Sequence, residues 1–148
     1  MKDLLSSNID RQNVLNNSIV LENLRTYLGV PGLFFNEEYK YTKQQISDFY
    51  LIDISTIERY LENDEKELKH NGYEVLKGKN LKIFKEQFGH ILNLSSNTAH
   101  LGIFNFRSFL NLGMLLSESE IAKALRSKIL DIVIDSLNEK VGGSTKYI

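Results

Sequence analysis

Apolar residues recur along this chain mostly at helical spacing, with short alternating stretches between the helical runs. From about residue 11 to 28, Leu15, Ile19, Val20, Leu21, Leu24, Tyr27 and Leu28 mark one face of a helix. Gly29-Val30-Pro31-Gly32 stops it with the chain's one proline. The first ten residues are polar and expected to fray. Leu33-Phe34-Phe35 reads as a short buried strand or an anchor for the next element. Two short helices come next. Thr42-Lys43-Gln44-Gln45 fits a capping box opening the first, with Ile46, Phe49 and Tyr50 inward. Leu51 and Ile52 occupy the turn, and the second helix starts near Asp53 or Ser55 with Ile57, Tyr60 and Leu61 inward.

A further helix over 64–71 ends at Gly72. Tyr73 to Leu76 reads as a strand and Lys77-Gly78-Lys79 as a turn, together a small wing. Leu81, Ile83, Phe84 and Phe88 predict a helix ending near Gly89, and residues 90–101 read as a connector. Alternation over 102–107 predicts a strand, and 108–116 an apolar helix. Ser117-Glu118-Ser119-Glu120 reads as a capping box for the longest helix, which runs to about Lys140. Its expected stripe is Ile121, Ala124, Leu125, Ile129, Ile132, Val133 and Leu137, and Gly142-Gly143 ends it. The expected fold is mainly α with short β-strands: an N-terminal helix (1–32), a winged helix-turn-helix (33–89) and a small strand-helix-helix unit ending in a long helix (90–148).

The stretch TKQQISDFYLIDISTIERYL carries the clearest chemistry. Two short helices around a tight turn are the device that enters the DNA major groove, the first bracing the second. Ser47 is small where the helices must approach, and Ile46, Ile52, Ile57 and Tyr60 form an apolar clamp. Ser55, Thr56, Glu58, Arg59 and Glu62 are left on the outer side. Arg59 is the foremost base-contact candidate, because a guanidinium pairs bidentately with guanine, and Ser55 and Thr56 join it. Lys43 is expected to grip a phosphate. Lys77, Lys79, Lys82 and Lys85 stand within nine residues without an acid between them, and Lys77, Lys79 and Lys82 are further phosphate candidates. Leu51 stands where a glycine is common, and Glu58 and Glu62 would repel phosphates. The competing reading is a helical hairpin that only fills the core, with the lysines as the solvated face of a turn and a helix.

Composition narrows the function classes. The 148 residues are 42% hydrophobic, 25% charged and carry a net charge of −1, so indiscriminate coating of DNA is disfavoured while a local basic face stays open. With no cysteine, disulfides and thiolate metal sites are excluded. There is no signal-peptide core and no apolar run near the ~20 residues a bilayer demands, so a cytoplasmic protein is expected. His70, His90 and His100 form no zinc-ligand spacing, and no phosphate-loop or nucleophile-elbow motif is present. Asp131 and Asp135 share a helix face and read as solvated acids. No enzymatic activity, catalytic residue, metal or cofactor is expected.

The helix-turn-helix followed by NGYEVLKGKNLKIFKEQFG, then LGIFNFRSFLNLGMLLSESEIAKALRSKILDIVID and VGGSTKYI, resembles the RhuM-like virulence-associated proteins of prophages and mobile elements. These are distantly similar to BRO and KilA-type phage DNA-binding domains. The resemblance covers roughly residues 40–148. It implies a winged helix-turn-helix paired with a second unit, carried here by 104–113 and 124–132, that regulates transcription or targets an attached effector to DNA. Some relatives continue into a Fic or death-on-curing domain; its histidine motif is absent here and no such activity is carried over. The expected partners are double-stranded DNA, a second copy in a homodimer, and an effector domain C-terminal to Ile148, this chain being the N-terminal part of a longer protein. The alternative is a protein-interaction or dimerisation module without DNA binding.

Overall fold

A computed structural model describes residues 3–95 and 97–140, the last four of these by backbone alone. Among them the chain runs through α1 (Asn8–Leu15), α2 (Ser18–Leu28), β1 (Leu33–Phe35), β2 (Glu38–Thr42), α3 (Lys43–Tyr50), α4 (Ile54–Asn63), α5 (Glu65–His70), β3 (Glu74–Lys77), α6 (Gly78–Leu92), β4 (His100–Asn105), α7 (Phe106–Leu115) and α8 (Glu120–Lys140). The architecture is mainly helical around one small antiparallel sheet. The expected Gly142-Gly143 stop and the VGGSTKYI segment lie outside the described residues. No helix among the described residues is long and apolar enough to cross a membrane.

Local chemistry explains where the elements differ from the periodicity. The one helix expected up to Leu28 is two. The Asn17 side chain accepts from the Ile19 and Val20 amides at 3.1 Å, capping α2, while Asn16 closes α1. An asparagine offers the backbone a partner outside the helix, and two in succession break the run despite its apolar stripe. The alternating strand begins two residues earlier than expected and yields to α7 at Phe106. Asn105 ends it: its side chain accepts from the Ser108 amide at 2.9 Å, and the Ser108 hydroxyl accepts from the Asn105 amide at 3.0 Å. The Lys77-Gly78-Lys79 turn leads directly into α6 instead of returning as a hairpin, and Gly78 makes the change of direction with φ of +59°. That helix passes Gly89 and ends at Asn93, which takes a left-handed conformation.

The sheet order is β1-β2-β4-β3, with Lys40 opposite Asn105, Thr42 opposite Ile103 and Lys77 opposite His100. Alternation sends side chains to two faces. On one, Phe35, Leu76 and Ile103 pack with Leu81 and Phe84 of α6. On the other, Tyr41, Tyr73 and Phe104 join the main cluster, which draws on all three sequence segments from Leu4 to Ile132. At its centre α7 is buried at Phe106 and from Ser108 through Leu115. The α8 stripe turning toward it is Ala122, Leu125, Ile129 and Ile132; the expected Ile121 and Ala124 face outward, and the Leu137 side chain lies outside the described residues.

A buried polar network fastens α1 and α5 to α7. Arg11 grips Glu67 with two nitrogens at 2.6 and 2.7 Å. Asn111 donates to the same carboxylate at 2.7 Å, and Asn71 donates to Asn111 at 2.8 Å. Arg107 donates to Asn71 at 2.9 Å. Burial pushes the Glu67 carboxyl up, but the hydrogen bonds from Arg11 and Asn111 outweigh it and hold it below its usual value. A group so depressed stabilises the fold above its unfolded pKa and loses that contribution as pH falls through the folded value. Melting temperatures should therefore drop on acidification below the ordinary carboxylate range, and drop less for Glu67→Gln. Glu67→Ala, which strands the Arg11 charge, should cost about 3–5 kcal/mol in denaturant unfolding.

Candidate nucleic-acid interface

Helices α3 and α4 form as the pattern requires. Thr42 and Gln45 make the reciprocal capping box: Gln45 donates its amide to the Thr42 hydroxyl at 3.1 Å, and Thr42 donates its own to the Gln45 side chain at 2.8 Å. Ile46, Tyr50 and Ile57 are fully buried; Phe49, Ile52, Tyr60 and Leu61 are partly buried against the same core. Ser47, read as a residue of small size, does more. Its hydroxyl donates to the Ile52 carbonyl at 2.6 Å and closes the turn. Leu51 holds φ of +55°, so the position where glycine is common does need the left-handed conformation and is filled at a cost.

The pair is braced from behind. Tyr50 donates its hydroxyl to the Phe109 carbonyl at 2.9 Å and packs where Gly113 leaves room, since a Cβ there would lie 2.2 Å from the Tyr50 oxygen. Ser119, itself buried, donates to the Tyr50 carbonyl at 2.7 Å and accepts from the Ala122 amide at 3.0 Å. Ser119 thus caps α8 alone. Ser117, expected to share that capping box, turns toward Tyr60.

The outer side of α4 is open: Ser55, Glu58, Arg59 and Glu62 are exposed, while Thr56 is half-buried. The cations are placed less simply. Arg59 lies over the Tyr60 ring, 5.0 Å from its centroid, and its guanidinium is hydrogen-bonded to Glu118. Lys43 pairs with Glu58 at 3.4 Å. Glu58 was legible as a repulsive presence, whereas Glu118 is 59 residues from Arg59 and nothing local points to it. Hydrogen bonds from Tyr60 and Arg59 hold the Glu118 carboxyl below its usual value.

Lys77, Lys79 and Lys82 are exposed, and among the described residues none of them pairs with a carboxylate. Lys85 is half-buried and donates to the Thr98 carbonyl. Lys77 is opposite His100 in the sheet, and His100 lines a groove of about 390 Å³ with Lys43 and Gln44. The start of α3 and the start of β4 therefore border one groove, and the Lys43–Glu58 pair links that end of α3 to α4.

In comparison with protein-family models, curated proteins and solved structures, the chain shows no significant match.

Because Leu51 is exposed and left-handed, Leu51→Gly should relieve backbone strain with little loss of packing. The gain should be about 0.5–1 kcal/mol in chemical denaturation, the relief being partly offset by the greater freedom of glycine in the unfolded chain.

Proposed function

We propose that this chain is a DNA-binding module of the winged helix-turn-helix type, from a mobile-element or phage-related bacterial protein, that regulates transcription or brings an attached effector to DNA. The observation that carries the reading is the exposed outer side of α4, braced by buried Ile46, Tyr50 and Ile57, in a chain whose exposed Lys77, Lys79 and Lys82 have no carboxylate partner among the described residues. Strand order supports the winged form. A winged helix-turn-helix places one strand ahead of its two helices and two after them in one antiparallel sheet. Here β2 runs into α3, and β4 sits between β2 and β3. In this reading α6 and the segment after it occupy the place of the wing, which puts Lys77, Lys79 and Lys82 at its root.

Arg59, Ser55 and, from its half-buried position, Thr56 read bases, while Lys43, Lys77, Lys79 and Lys82 hold phosphates. A homodimer would place two α4 helices on neighbouring half-sites one turn of the duplex apart. The alternative reading is a protein-interaction or dimerisation module. It is favoured by the carboxylates Glu58, Glu62 and Glu118 on the same surface, which leave little net positive charge near α4.

Titration against duplex DNA at several salt concentrations separates the two, since neutralised phosphates release counterions and an apolar contact does not. Selection from random duplexes should yield a preferred site. On it, Arg59→Ala should cost about 1–3 kcal/mol and relax sequence preference. Replacing Lys77, Lys79 and Lys82 together by alanine should weaken all duplexes alike and flatten the log–log salt slope by up to about 3. A slope near zero for the unaltered chain would refute DNA binding.

A further inference from the structure

Resting on the DNA-binding reading, we infer that Glu118 is a latch on Arg59, holding the guanidinium folded back over Tyr60 so that it must be released before it can reach a base edge. Three observations converge. The Arg59 guanidinium stands over the ring of Tyr60, its carbon 5.0 Å from the centroid, and Tyr60 is half-buried on the core side of the helix. Its terminal nitrogen is bonded to one Glu118 oxygen, and the other Glu118 oxygen accepts from the Tyr60 hydroxyl at 2.6 Å. Glu118 is not a loose surface acid, because the residues on both sides of it are tied down. Ser117 donates its amide to the Tyr60 hydroxyl at 3.3 Å, and the buried Ser119 is hydrogen-bonded to the last residue of α3 and caps α8.

Chemistry makes this contact a competitor of DNA. A guanine presents two acceptors to a guanidinium in the major groove, and bidentate pairing uses two of its N–H groups. Glu118 already occupies one terminal nitrogen, and its oxygens, themselves acceptors, would face the acceptors of the base and the charges of the phosphates. The latch spans α4 and the turn between α7 and α8. Lys43 and Glu58 form a looser pair of the same kind at the other end of the motif.

The test compares the full chain, Glu118→Gln, Arg59→Ala and the double variant on the same duplex at two salt concentrations. Glutamine keeps a partner for the Tyr60 hydroxyl but removes the charge that holds Arg59. Glu118→Gln should tighten binding about two- to fivefold, the range that an exposed ion pair can impose. The gain should vanish in the Arg59→Ala background. An Arg59 side-chain NMR resonance, read without DNA, should show slow guanidinium rotation in the unaltered chain and fast rotation in Glu118→Gln. Unchanged or weaker binding by Glu118→Gln, or an equal gain without Arg59, overturns the latch while leaving DNA binding intact. If neither the unaltered chain nor Glu118→Gln binds any duplex, the DNA-binding reading and the latch fall together, whatever the resonance shows.

Discussion

A helix that must be covered on nearly every side organises this protein. From Ser108 to Leu115 each residue of α7 is buried, so each direction around it needs a neighbour. Helix α8 lays Ala122, Leu125 and Ile129 on it, and Tyr41 and Tyr50 stack on Phe109 from β2 and α3, with centroids 5.0 and 5.2 Å away. Not all of these contacts are apolar. Ser108 and Asn111 sit inside the same helix with their hydrogen bonds satisfied, and among the described residues no buried side-chain polar atom lacks a partner. Because an unpaired buried polar group costs far more than a paired one gains, these bonds dictate which neighbour lies on which side.

That constraint reaches the surface. Tyr50 and Ser119 tie the end of α3 and the cap of α8 to the α7 core, so the turn between α3 and α4 and the turn into α8 are held in register. The juxtaposition of Arg59 with Glu118 is a consequence. The charged residues of α4 are therefore not independent groups on a solvated helix. Glu58 is paired with Lys43 of α3, and Arg59 with Glu118 from a segment almost sixty residues away, so tertiary contacts offset charge on the proposed nucleic-acid face. The exposed lysines Lys77, Lys79 and Lys82 lie where β3 enters α6, on elements other than the one that carries Ser55 and Arg59.

Much of the local structure was legible. The capping box at Thr42, the buried stripe of Ile46, Tyr50 and Ile57, the exposure of Ser55 and Arg59 and the demand for a left-handed residue at Leu51 all depend on residues within a turn or two of each other. Apolar spacing placed them because the helical repeat is a property of the backbone. Where that reasoning slipped, a short polar side chain had outweighed the periodicity. Asn17 and Asn105 each cap a helix inside a run that reads as continuous. The outward turn of Ile121 and Ala124 has another cause: Ser119, pinned to Tyr50, sets the phase at which α8 begins.

By itself, then, the sequence determined most of the elements, the two-helix motif with its outward side, and the lysine cluster that follows it along the chain, because each is written in spacings short enough for one stretch of backbone to enforce. Only the tertiary structure decided that β4 would insert between β2 and β3, that Arg11 and Glu67 would meet in the interior, and that Arg59 would be held by Glu118. Those outcomes join residues far apart along the chain. They are settled by which buried surfaces and polar groups can be satisfied together, a condition that no local pattern records.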